Sequence, residues 1–222
     1  MLYLLPWLSL SLPLSIARAD EVDSAWTSSA IVRVEALALL QTLNAELLSH
    51  DSATVTLERW CNAHRLASPP RIAAVRLSVA DKPPSPEQRQ ELAVAPAESV
   101  RYRKVRLTCG SVVLSEAENW YVPSRLTPEM NELLETTDTP FGKVVRMLHF
   151  SRHTLTSTLL WSPLPEGWDM KAVESSGRVA AASVPLFLLQ HRAVLMLPNG
   201  TPFSEVEERY TREVLRFPVP RL

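Results

Sequence analysis

The sequence predicts an α+β fold, a single domain with a mainly antiparallel β-sheet and flanking helices, and three observations predict it. From Ser29 to Leu48, apolar residues recur at Ile31, Val34, Leu37, Ala38, Leu40, Leu43 and Leu47. That is the 3.6-residue spacing of an amphipathic helix, and Ser29 stands in the capping position. From Val100 to Cys109 polar and apolar residues alternate, Gly110-Ser111 turns the chain, and Val112 to Val122 alternates back, which reads as a hairpin. Near the C-terminus, Pro198-Asn199-Gly200-Thr201 is a second hairpin signal, because Asn-Gly tolerates the positive φ angles of a type I′ turn.

The remaining elements follow in order. Helical spacing resumes from Thr54 to Leu66 with Val55, Leu57, Trp60 and Cys61, and Pro69-Pro70 closes it. Ile72 to Val79 reads as a strand, and Asp81 to Ala97 as a polar, proline-rich, mobile loop. Thr127 caps a short helix from Leu126 to Leu134 with Pro128 at its first position, and Asp138 to Gly142 is a turn. Thr154 to Trp161 has strand composition, Ser162 to Gly177 reads as loop, and Val179 to Leu197 holds one or two strands interrupted at Pro185. Phe203 to Phe217 fits two descriptions. It is a strand with Val206, Tyr210 and Val214 facing one way, or a helix with Ser204 and Glu207 in capping-box positions.

Composition bounds the rest. With 222 residues, 46% of them apolar, and a formal charge of −1, the chain buries one sizeable core. Positive and negative residues are interspersed, so no basic face of the kind that neutralises phosphates is present, and no nucleic-acid partner is expected. Leu2 to Ile16 is an apolar run followed by Ala17-Arg18-Ala19, the pattern of a secretory leader over residues 1–19 with the domain at 20–222. Fifteen residues with two prolines are too few to span a bilayer, so the mature chain is expected without a stable membrane span. The expected location is periplasmic or secreted, or cytoplasmic if the start is misassigned. Export would place Cys61 and Cys109 where they could pair, but two cysteines 48 apart fit two separate buried thiols equally well. The chain is expected as a monomer.

No P-loop, dinucleotide glycine motif, CxxC pair or nucleophile elbow is present, which removes nucleotide-dependent and zinc-ribbon chemistry, and no cofactor is expected. His149 and His153 stand four apart without a carboxylate or third histidine at ligand spacing, so no metal is expected. Arg103 shares a strand face with Val105, Leu107 and Cys109, and a cation aimed at an apolar face needs an anionic partner. That partner is either Glu98 or Glu118, or a ligand.

Several pieces then fall into one order: Leu47 to Ala53; Arg103; Tyr121-Val122-Pro123; Leu126-Thr127-Pro128-Glu129; Thr139-Pro140-Phe141-Gly142-Lys143; and Gly200-Thr201-Pro202 with Glu207 downstream. Over roughly residues 30 to 215 this order resembles the bacterial chorismate lyase family, which makes 4-hydroxybenzoate and pyruvate from chorismate for ubiquinone synthesis. Ala53 stands where the family has a methionine, and Phe141 where its turn has a leucine. The resemblance implies a chorismate lyase-like fold and a small aromatic or enolpyruvyl carboxylate as ligand. It makes Arg103 the grip on the ring carboxylate, Glu207 the acid that protonates the leaving ether oxygen, and Phe141 and Ala53 parts of the pocket wall. Glu207 also sits among Glu205, Glu208, Arg209, Arg212 and Glu213, the composition of a solvated charged face. The alternative is an exported, non-catalytic ligand-binding or interaction protein that keeps the fold, a use for which small-ligand effector domains of transcription factors are the precedent.

Overall fold

A computed structural model describes residues 25–170 and 183–219; the leader-like run at 1–19 and the end of the Ser162 to Gly177 loop lie outside the described residues. Six strands form one sheet in the order β1-β2-β3-β6-β5-β4, with every neighbouring pair antiparallel. They are β1 (Ile72–Arg76), β2 (Arg101–Cys109), β3 (Val112–Tyr121), β4 (Ser151–Leu159), β5 (Phe187–Met196) and β6 (Pro202–Thr211). The helices are α1 (Ala30–Leu48), α2 (Ala53–Ala63), α3 (Pro86–Glu91), α4 (Pro128–Thr136) and α5 (Phe141–Val144). This is the expected α+β architecture, one antiparallel sheet with flanking helices.

The main core lies between one face of the sheet and α1 and α2. Leu40, Leu43 and Leu47 of α1 and Leu57, Trp60 and Cys61 of α2 are buried against Val105, Leu107, Leu189 and Tyr210. Apolar burial is the dominant favourable term, and two tryptophans add direction to it. Trp26 Nε1 donates to the Leu215 carbonyl at 2.8 Å and Trp60 Nε1 to that of Val214 at 2.9 Å, which fastens the C-terminal turn beneath the helices. Cys61 and Cys109 form a disulfide that joins α2 to the end of β2, so of the two open readings the pair is the one realised.

Several local expectations change. Asp81 to Ala97 is not a structureless loop. Ser85 and Gln88 form a reciprocal capping box that starts α3, and this helix packs on the sheet face away from α1 and α2. Phe203 to Phe217 is a strand followed by a 3-10 turn at Arg212–Leu215, because β6 pairs on both sides and those ladders outweigh the local capping signal. The β5–β6 turn is not type I′: Gly200 has φ +81° but Asn199 is not in the left-handed region, and the Gly200 N–H donates to the Leu197 carbonyl at 2.8 Å. Pro198 at the second turn position fixes a negative φ, so the chain uses a type I turn followed by a left-handed glycine. Among the described residues no helix is long and apolar enough to cross a membrane.

Candidate functional site

The sheet face toward α2 carries a cavity. Its floor comes from alternate residues of neighbouring strands: Arg103, Val105 and Leu107 on β2, Ala117 and Asn119 on β3, Val206 and Glu208 on β6. Register explains the grouping, since Arg103 lies opposite Asn119 and Asn119 opposite Val206. The roof comes from Asp51, Ser52, Ala53 and Thr54 at the start of α2, with Phe141 and Gly142 of α5 and Phe150 beside them.

Short-range chemistry fixes that roof. The Ser52 hydroxyl caps α2 by accepting from the Val55 N–H, and the Asp51 carboxylate accepts from the Arg152 N–H at 2.9 Å, which ties the α1–α2 turn to β4. Gly142 passes close to this cap: a Cβ there would stand 2.7 Å from Ser52 Oγ. Phe141 stacks toward Phe203 and lies beside Tyr121, closing the apolar end.

Arg103 is only 4% exposed. Its Nη2 reaches the Thr139 carbonyl at 3.4 Å, its Nε has no partner, and among the described residues no carboxylate forms an ion pair with it. Glu118 pairs with Lys82 and Lys104 instead, and Glu98 with Arg125. Burial, reinforced by the neighbouring Arg76 charge, lowers the Arg103 pKa to about 10. On its solvent side Arg103 also borders an open groove with Arg76, Arg101 and Tyr121.

The second cation of the cavity, Arg152, has a carboxylate partner, although its Nε is also open. Arg152 Nη2 donates to Glu208 Oε2 at 2.6 Å, and the Tyr210 hydroxyl donates to the same oxygen at 3.1 Å. Burial opposes the Arg152 charge, yet Glu208, Tyr210 and Asp51 together outweigh it and hold the guanidinium pKa above its ordinary value. Burial pushes the Tyr210 hydroxyl well above the usual phenol range.

Of the residues singled out from sequence, Arg103, Phe141 and Ala53 meet in this cavity, and Glu207 does not. Glu207 lies opposite Glu118 and Arg192 in register, on the face where Lys82, Lys104 and α3 cluster. Strand alternation explains the correction: one position further along, Glu208 points inward with Val206 and Tyr210. Asn119, Arg152 and Glu208 were not found from the sequence, although the shared parity of Val206, Glu208 and Tyr210 carried the signal once β6 is a strand. His149 ends a 3-10 turn in the left-handed conformation and His153 lies on β4, so they do not share a helix face. Among the described residues no group of three potential ligands could hold a metal ion.

No family model matches the chain. Solved structures of related outline include PhnF from Mycobacterium smegmatis, at 13% identity and TM-score 0.48, covering 79% of this chain and 70% of that one. The effector domain of the same protein matches at 12% identity and TM-score 0.46, covering 72% and 88%. The possible transcriptional regulator YydK from Bacillus subtilis subsp. subtilis str. 168 matches at 18% and 0.40, covering 68% of this chain and 62% of that one, less than two thirds of its length. None of these structures is named as a lyase, and the expectations of membership in the chorismate lyase family, of chorismate cleavage, of a place in ubiquinone synthesis and of a monomer without nucleic-acid partners find no support in them. TM-scores this low assign no function in their place. A relative at the sequence level is far nearer: 58% identity over 201 residues, 89% of this chain and 84% of the relative, places the chain in the same family as the uncharacterized protein y4mC of Sinorhizobium fredii (strain NBRC 101917 / NGR234).

Proposed function

We propose that the domain binds a compact organic anion in the cavity over β2, β3 and β6, with Arg103 as the group that grips it. The observation that carries this reading is a nearly closed guanidinium with an open Nε and no acidic partner among the described residues. An isolated buried charge is costly, and a carboxylate ligand supplies both the countercharge and two parallel acceptors. Backbone N–H groups at the start of α2, an 11-residue helix, point the same sign of potential into the cavity. Aromatic and aliphatic walls at Phe141, Phe150, Leu195 and Val206 suit a short hydrocarbon body. The cavity volume is about 50 Å³, which favours a ligand of few atoms. Binding without turnover fits the charge arrangement, because Glu208 is already engaged by Arg152 and Tyr210 and offers no free acid beside Arg103.

The test is a thermal-shift series at fixed ionic strength and pH 7, with acetate, propionate and benzoate against acetamide, propionamide and benzamide. The acids should raise Tm in a saturable way and the amides should not. In Arg103→Met the acid response should vanish while the unliganded Tm holds or rises, since a buried charge has been replaced by an apolar chain of similar length. Equal responses to acids and amides, or an unchanged acid response in Arg103→Met, would overturn the reading.

A further inference from the structure

We infer that the ligand is a 2-hydroxycarboxylate, with Asn119 reading the hydroxyl next to the carboxylate that Arg103 holds. This rests on the anion-binding reading above and narrows it.

Asn119 is 5% exposed and lines the cavity. Its Nδ2 donates to Ser204 Oγ at 2.9 Å, and its Oδ1 has no partner. Buried side-chain amides are ordinarily satisfied at both ends, and an open end is costly unless something pairs with it. Asn119 and Arg103 line the same cavity, each with one buried polar atom left open, and they are directly opposed across the β2–β3 ladder. Cross-strand neighbours on one face have their Cβ atoms about 5 Å apart. A ligand that meets both must therefore carry a carboxylate and a second polar group within a bond or two of each other.

A hydroxyl on the carbon next to the carboxylate meets that spacing. It both donates and accepts, so it pairs with the amide in either orientation of the Asn119 side chain. An ammonium in the same place would add a positive charge beside Arg103 and Arg152, and of the two carboxylates on the cavity Glu208 is matched by the Arg152 guanidinium while Asp51 accepts from the Arg152 N–H. The small cavity volume favours the shortest members of the class.

Isothermal titration of the full chain with matched pairs separates the two readings: glycolate against acetate, and each enantiomer of lactate against propionate. The better lactate enantiomer should bind roughly tenfold tighter than propionate, the size of one satisfied buried hydrogen bond. In Asn119→Ala the lactate-to-propionate ratio should fall to near one while propionate affinity holds within about twofold. Equal affinities within each pair in the unmodified protein would overturn the hydroxyl assignment and leave anion binding standing. A preference that survives Asn119→Ala would overturn Asn119 as its reader. No binding of any of these acids would overturn both readings. The paired comparison on the unmodified chain decides the matter even if Asn119→Ala does not fold.

Discussion

Arg152 and Glu208 form an ion pair of 2.6 Å whose side chains are 4% and 8% exposed, and the Tyr210 hydroxyl donates to the same carboxylate. The pair joins β4 to β6 beneath the roof of the cavity, so its two charges are satisfied by each other and not by a ligand. Breaking one partner should be far worse than removing both. Glu208→Gln should lose about 3–5 kcal/mol in urea unfolding, because Arg152 keeps its charge in an enclosed place. The double change Arg152→Met with Glu208→Met should recover most of that loss. Equal loss in the single and double variants would show that shape, not charge, governs this position.

The Cys61–Cys109 bridge should be a large contributor to stability. It closes a segment of 48 residues between α2 and the end of β2. Loop-closure entropy for such a length corresponds to about 4 kcal/mol in the chain-entropy account. Replacing both cysteines by serine, or adding a reductant strong enough to open the bridge, should lower the urea midpoint and steepen the transition, because the unlinked unfolded chain exposes more surface. No change in midpoint would mean that the bridge contributes nothing to the folded state.

Two groups give the stability a pH dependence of opposite sign. Burial lowers the His191 pKa to about 4, with Glu208 opposing and Arg152 adding to the shift. Between pH 6.5 and 4 the unfolded chain binds a proton that the folded one refuses, so this contribution to stability falls as pH falls through that window. Burial raises the Glu91 pKa to about 7, helped by a hydrogen bond and charge repulsion from Glu205. There the folded state holds a proton that the unfolded state has released, so stability falls as pH rises from about 4.5 through 7. His191→Gln should flatten the acid arm of the stability curve, and Glu91→Gln the arm toward neutral pH. Unfolding by urea across pH 4 to 8 checks both, and arms unchanged in the variants would contradict the assignments.

Gly142 should resist substitution for a steric reason. Its φ is ordinary, but an added Cβ would stand 2.7 Å from Ser52 Oγ and 3.4 Å from Thr54 Oγ1. Gly142→Ala should therefore push the start of α2 away from α5 and destabilise the fold by about 1–3 kcal/mol. Because that helix start roofs the cavity, carboxylate binding should weaken as well. A variant with unaltered stability and binding would mean that the cap yields freely.

Much of the fold was legible because periodicity survives burial. Ser29 and Thr127 cap the helices expected of them, and the β2–β3 hairpin turns at Gly110, where φ is +56°. What was not legible depended on long-range pairing. The strand at 202–211 is decided by its ladders to β3 and β5, and with it the inward position of Glu208 over Glu207. α3 emerges from a proline-rich stretch because Ser85 and Gln88 cap it and Glu91 meets Arg192 across the sheet face. Arg103 could be aimed by alternation alone, whereas its lack of an acidic partner needed the positions of Glu98 and Glu118.

The central claim is that Arg103 is an anion grip and not a structural cation. Titrating acetate into protein labelled with nitrogen-15 at arginine, and following the Arg103 Nε signal assigned by comparison with Arg103→Met, tests it most directly. The account predicts a saturable shift of that signal, with little change at the Nε of Arg106, which lies off the cavity and already donates to Glu116 at 2.9 Å. An Arg103 Nε signal that does not move with acetate, or that moves only as salt in general moves every arginine, would contradict it.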